Sequence, residues 1–389
     1  MLDDSLLDDP AALQRADRQH ALLALAGAGA RVRIALRLAE AAGLSSLRPD
    51  GRPRAVLVAG HGSALTAAAV LAALAAPSSL VLPLPPAGTR PSAPYFTDGQ
   101  SWVLPGWAGP LDLIVLASSA GREGGLINLA EQAYARGCAI AVIAPERSDL
   151  LEAAQQVRGL PLPFATSQVE EGEDSPEPDL PVEDPAALWA YLTPLLALAD
   201  RVGAAQLAPG ALEAAADRLD EVAVRCRPDA EAYGNPAKGL AGQLAETVPL
   251  LWADGPTTAA AAERFAAMLA DQAGLPAPTG RLPQALTAHR GMFTGRLGAV
   301  GGDLDDFFRD RVDEPGPLQL QVVLLRHTPG VDELSEPGYA VARARRLADA
   351  HEVRFTDYTS SVEDPLQALA ELIGLTDFAA VYLGLATKG

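Results

Sequence analysis

A chain of 389 residues is too long for one ordinary hydrophobic core and points to two domains. Apolar residues make up 49% of it, much of that alanine and leucine, and aromatics only 5%, a balance that favours helix-rich layers over an all-β sandwich. The net charge of −19, with no basic patch, argues against a nucleic-acid partner and an anionic membrane; any phosphate site has to work locally, through backbone N–H groups, helix N-termini and hydroxyls.

The chain opens on Met1-Leu2-Asp3-Asp4-Ser5, acidic where a signal peptide is basic. Residues 11–44 read as two helices, Ala11–Ala26 and Arg31–Ala42, broken by Gly27-Ala28-Gly29. A strand–helix rhythm follows. Arg54–Ala59 is a short apolar run ending at Gly60, and an alanine-rich helix spans Ala64–Leu74. Further strands are Ser79–Leu84, Leu111–Ala117 and Ala139–Ala144, with a helix over Leu126–Arg136. Strands that are apolar on both sides and alternate with helices indicate a parallel sheet covered on both faces.

Residues 169–184 are acidic and proline-rich, a linker composition, and the domain boundary is expected there. This gives a first domain over 1–168 and a second over 185–389. The second begins with helices at Pro185–Arg201 and Pro209–Arg225. Its strands are Val248–Ala253, Leu318–Leu325 and Glu352–Phe355, and its later helices Thr258–Ala270, Pro337–Ala350, Pro365–Ile373 and Thr376–Leu385. No unbroken apolar stretch of about 18 residues is read, so no transmembrane span is expected. Cys138 and Cys226 have no CxxC spacing and read as buried free thiols in a reducing cytoplasm, not as a disulfide or metal site.

Two loops after strands read either as anion seats or as plain strand-to-helix turns. Ala59-Gly60-His61-Gly62-Ser63-Ala64 combines small residues, which let the backbone approach a ligand, with Ser63 at a helix N-terminus. Ser118-Ser119-Ala120-Gly121-Arg122-Glu123 offers hydroxyls, but also a carboxylate, a like-charge conflict beside a phosphate unless it is paired; Arg122 either pairs with it or itself supplies a cation, and the other reading is a loop that no longer binds phosphate. Later come Asn235-Pro236-Ala237-Lys238-Gly239-Leu240-Ala241, Asp271-Gln272-Ala273-Gly274, Leu286-Thr287-Ala288-His289 and the helix Thr376-Asp377-Phe378-Ala379-Ala380-Val381-Tyr382-Leu383-Gly384-Leu385.

In this order the segments resemble the GxGGSA, SxSGNT, N-x-AK-x-LA, ENAK-like, NHNE-like and GDxxSVYLA motifs of the bifunctional phosphoglucose/phosphomannose isomerase family, whose members carry two sugar isomerase (SIS) domains. The resemblance implies an α/β fold of two SIS-type three-layer αβα domains with parallel sheets. It also implies a homodimer, no cofactor or metal, and a hexose phosphate as ligand. The family's chemistry is aldose–ketose isomerisation of glucose 6-phosphate and mannose 6-phosphate to fructose 6-phosphate through a cis-enediol. By resemblance, Gly60, His61, Gly62, Ser63, Ser118, Ser119, Gly121 and Arg122 line the phosphosugar site, Asp271 is the base and His289 its helper.

The chain also departs from that pattern. His61 stands at a glycine position, Ala120 at the second serine and Glu123 at the threonine. In Leu160-Pro161-Leu162-Pro163-Phe164, Phe164 replaces an arginine that stabilises enediolate charge. Thr287 takes the histidine position, with His289 two residues on, and Lys388 is the only lysine near the family's lysine segment. Asp271 is a methylene shorter than glutamate, drawing its oxygens back by about 1.5 Å. Three readings follow: an isomerase of this family, a catalytically silent relative that binds a sugar phosphate or regulates a partner enzyme, and a dimeric structural protein with a vestigial pocket.

Overall fold

The computed structural model describes residues 3–49, 51–75, 79–89, 95–167, 180, 182–295, 319–330 and 338–387. In chain order the first elements are the short helices α1 (Asp4–Leu7) and α2 (Pro10–Ala16), then α3 (Ala21–Ala26) and α4 (Ala28–Ala41). The break expected at Gly27 is present. A second break falls at 17–20, where His20 takes a left-handed backbone at φ 55°.

Next come β1 (Ala55–Ala59), α5 (Ser63–Leu74), β2 (Leu80–Leu84), the short strands β3 (Gly88–Thr89) and β4 (Gln100–Ser101), β5 (Asp112–Ala117), α6 (Gly124–Ala135), β6 (Ala139–Ala144), α7 (Asp149–Gln156), β7 (Leu160–Pro163), α8 (Ala187–Arg201) and α9 (Ala211–Arg225). β2, β1, β5, β6 and β7 form, in that order, one parallel sheet. Every residue of β1 and β5 is buried, which is why these strands read as continuous apolar runs instead of alternating ones. Leu57, Leu116 and Val142 face α6 and α7 through Leu126, Leu129 and Leu150. Residues of the opposite parity point to the other face, where α5 and α4 pack with α8.

The remaining elements are α10 (Pro236–Leu244), β8 (Thr247–Asp254), α11 (Pro256–Ala273), β9 (Thr279–Arg281), α12 (Gln284–Ala288), α13 (Arg290–Thr294), β10 (Gln319–His327), α14 (Tyr339–Ala350), β11 (Arg354–Ser360) and α15 (Pro365–Thr387). Here the parallel sheet runs β11-β10-β8-β9. Trp252, Val322 and Leu324 pack under Ala285, Phe293, Val341 and Ala344, while α11 and α10 pack with α15. Asn235 caps α10 by accepting from the Ala237 and Lys238 N–H groups, with Pro236 in the first turn.

Two expectations change. The two compact units are Arg18–Asp220 and Met1–Asp17 with Glu221–Gly389, so the division falls near the middle of α9 and not at 169–184. The reason is α8, expected to open the second domain: Trp189, Tyr191, Leu192 and Leu195 are all buried, and the helix packs on α4 and α5. α1 and α2 join the other unit, where Asp8 accepts from the Ala232 N–H.

The second change is α15. Two helices were expected; the structure has one of 23 residues, long and apolar enough to span a membrane by length and composition alone. Of its most apolar window, 89% is buried within the fold, as expected of the core helix of a folded unit. Within it Asp377 is 1% exposed and pairs with Arg264 at 3.2 Å.

Candidate functional site

In the 18–220 unit, β1 leads through α5 to β2 on one side of the sheet. β5 leads through α6 to β6 on the other. The chain therefore turns opposite ways from two adjacent central strands, the place where open α/β sheets bind ligands. The loops leaving these strands are 60–62 and 118–123, so the topology brings together Gly60, His61, Gly62, Ser63, Ser118, Ser119, Gly121 and Arg122.

The second loop is closed by its own side chains. The Ser118 hydroxyl accepts from the Ala120 N–H at 3.1 Å and the Gly121 N–H at 2.6 Å. It donates to the Glu123 carboxylate at 2.7 Å. A hydroxyl has one hydrogen and two lone pairs, so Ser118 is fully used. Gly121 has φ +68°, and a Cβ there would run into the Ser148 side chain, so this loop form needs glycine.

Glu123 is completely buried and meets His61 Nε2 at 3.4 Å. Burial works against both charges, but the pairing prevails. The Glu123–His61 hydrogen bond raises the imidazole above its ordinary value, and His61 with Ser118 holds the Glu123 carboxyl below its own. The two departures from the family pattern thus meet each other: the histidine in a glycine place answers the carboxylate in a threonine place. Arg122, read as either the partner of Glu123 or a cation for the ligand, stacks on Tyr95 at 4.9 Å and lies 3.7 Å from Asp98.

The first loop is also occupied. Ser63 opens α5, and its N–H donates to the Glu183 carboxylate, with oxygens at 2.9 and 3.0 Å. Gly62 has φ +53°, and a Cβ on it would lie 2.5 Å from Glu183 Oε2. Sequence reasoning missed Glu183, since it lies 120 residues from Ser63 and inside a segment of linker composition. Ser119 is exposed and bonds to Tyr191, whose hydroxyl is pushed well up by burial. Phe164, in place of the arginine, is buried with its ring 4.7 Å from that of Tyr191.

The other two candidates lie in the second unit. Asp271 is exposed in the last turn of α11 and accepts from Gln272 Nε2 at 2.6 Å. His289 lies between α12 and α13, where its Nδ1 accepts from Trp252 Nε1–H at 2.9 Å. That bond leaves the neutral ring's proton on Nε2, and burial lowers the pKa, so the ring favours the neutral form. Among the described residues no hydrogen bond or ion pair joins Asp271 to His289. Thr287 is exposed, and Lys388 lies outside the described residues. Among the described residues no group of three or more His, Cys, Asp or Glu could hold a metal.

Residues 234–388 match the family described as the bacterial phospho-glucose isomerase C-terminal SIS domain. No curated protein matches the chain. A hypothetical protein from Thermus thermophilus shares the fold with a TM-score of 0.58 at 14% identity, over 98% of this chain and 89% of that one. The C-terminal domain of glucosamine-fructose-6-phosphate aminotransferase from Francisella tularensis does so with a TM-score of 0.56 at 11% identity, over 95% of this chain and 96% of that one. Segment 234–388 is therefore similar to a phospho-glucose isomerase C-terminal SIS domain, and the solved structures share the fold over nearly the whole chain.

Proposed function

We propose that the chain is a catalytically silent relative of the phosphosugar isomerases, a cytoplasmic homodimer that binds hexose phosphates weakly and acts with a partner enzyme. The observation that carries this reading is the saturated Ser118: its hydrogen goes to buried Glu123 and both its lone pairs to backbone N–H groups. A phosphate at this loop has to displace a carboxylate and then sit beside it, a like-charge contact that water does not screen at a buried site. Other features point the same way. The arginine of the family is Phe164, packed on Tyr191. Asp271 is the shorter acid, and the histidine position is exposed Thr287. Isomerisation needs a base, a ring-opening acid and charge stabilisation together, and loss of one acid–base group costs about 10²–10⁴ in rate.

The test is interconversion of glucose 6-phosphate, mannose 6-phosphate and fructose 6-phosphate by the purified full chain. The expected result is no turnover above the blank. Robust turnover that Asp271→Asn abolishes would overturn the reading and establish an isomerase. Turnover indifferent to that change would place the reaction at another centre. The dimer is tested by sedimentation; since α15 is covered within its own unit, its apolar surface no longer argues for one.

A further inference from the structure

Glu183 belongs by composition to a linker, yet it is firmly held. Its neighbour Asp184 pairs with Arg31 at 2.8 Å and accepts from the Ala186 N–H at 2.9 Å, just before α8 begins. Arg31 is 7% exposed, and its other terminal nitrogen donates to the Ala165 carbonyl at 2.8 Å. One buried guanidinium therefore fastens both ends of the 166–183 stretch, and Glu183 emerges from that clasp against the N-terminus of α5. There its carboxylate takes the Ser63 N–H from 2.9 and 3.0 Å and crosses closely over Gly62. A helix N-terminus offers unsatisfied N–H groups and the positive end of the helix dipole, the properties that let such sites hold phosphate.

We propose that Glu183 is an autoinhibitory contact: a carboxylate of the chain itself, clasped by Arg31 and Asp184 into the anion seat of the 60–63 loop, which an oxyanion ligand can enter only by displacing it. The inference rests on the reading of this loop as a sugar-phosphate seat. A ligand that needs the seat open binds with its dissociation constant raised by the inverse of the open fraction. Glu183 is tethered and cannot be diluted away, so it remains a competitor at any protein concentration.

The experiment titrates the full chain with inorganic phosphate by calorimetry in three forms: wild type, Glu183→Gln and Glu183→Ala. A seat open about one-tenth of the time predicts that Glu183→Ala binds phosphate about tenfold tighter than wild type. Glu183→Gln keeps the shape and loses the charge, and falls between them. Hydrogen exchange at the Ser63 amide, slow in wild type, speeds up in Glu183→Ala without phosphate and slows again with it. Circular dichroism establishes that each variant is folded; if the alanine form is not, the glutamine form must still exceed wild type. Equal phosphate affinity in the folded proteins, or no phosphate effect on Ser63 exchange, would overturn the proposal. Isomerase turnover reads the previous proposal separately: turnover with a tenfold gain in Glu183→Ala sinks silence and keeps the autoinhibitory contact, and no turnover with no gain does the reverse.

Discussion

The two sheets solve one electrostatic problem in opposite ways. In each, the chain leaves two adjacent central strands in opposite directions, β1 and β5 in one unit, β10 and β8 in the other, and in each the strand ends carry acids. In the 18–220 unit the two acids at the candidate loops are held by neutral donors and a histidine: Glu123 by Ser118 and His61, Glu183 by the Ser63 N–H. In the other unit they are held by arginine. Asp254 at the end of β8 faces Arg326 of β10, and Arg326 and Arg345 both reach Asp357 of β11, at 3.3 and 2.6 Å. Guanidinium neutralises an acid from a half-exposed position, whereas neutral donors must be exhausted and shielded to do so. Glu123 is wholly buried, while Asp254 keeps 40% of its side chain exposed.

Asp377 is an acid that separates the two variables. Asp377 is buried like Glu123 but partnered by an arginine like Asp254. If burial sets the cost, Asp377→Asn removes the carboxylate of a buried ion pair from beside the Arg264 charge and lowers the stability of its unit by about 3–5 kcal/mol. Denaturant unfolding of the full chain measures it, and a loss no greater than that of Asp254→Ala would show that the partner, not burial, decides. Glu123→Ala comes next, with an expected loss of about 1–3 kcal/mol, because the Ser118 hydroxyl loses its acceptor inside the fold. Asp254→Ala ends the series at under about 1 kcal/mol, the range of exposed ion pairs.

The smallest effect is a dependence on pH. Glu123 is held below its ordinary 4.5, so its contribution is present above that value and is lost as pH falls through the lower folded one. His61 is raised above its ordinary 6.5, so its contribution is complete below that value and is lost as pH rises through the higher folded one. The melting temperature is therefore expected to fall on both sides of the interval between. His61→Asn should flatten the alkaline flank and, because His61 also helps hold Glu123 down, shrink the acid one; an unchanged alkaline flank would show that the contact contributes nothing there.

Local pattern carried the sheet strands that are buried on both faces, because these depend on residues adjacent in sequence. β9 was missed, having three residues and no apolar run. α8 was found as a helix but given to the other domain. Its buried Trp189, Tyr191 and Leu195 announce that it is covered on several sides, but not by which neighbours. In the candidate site the two loops were legible from their small and hydroxylated residues, and the conflict at Glu123 from its charge. Its resolution was not: His61 lies 62 residues away, and Arg122 was the nearer cation. Glu183 was hidden for the same reason, since composition describes a segment's average and not the one residue that makes a contact.

Arg31 also bears on how this chain is free to change over generations. Because it holds the Ala165 carbonyl on one side and the Asp184 carboxylate on the other, the intervening stretch begins and ends at one point in space. When the ends of a loop are pinned in this way, doubling its length costs only about 0.6 kcal/mol in closure entropy. Insertions and deletions between the two footings are therefore cheap so long as Glu183 keeps its place beside Asp184, while a single change at Arg31 releases both. Evolution can write between two fixed punctuation marks, provided the last letter stays.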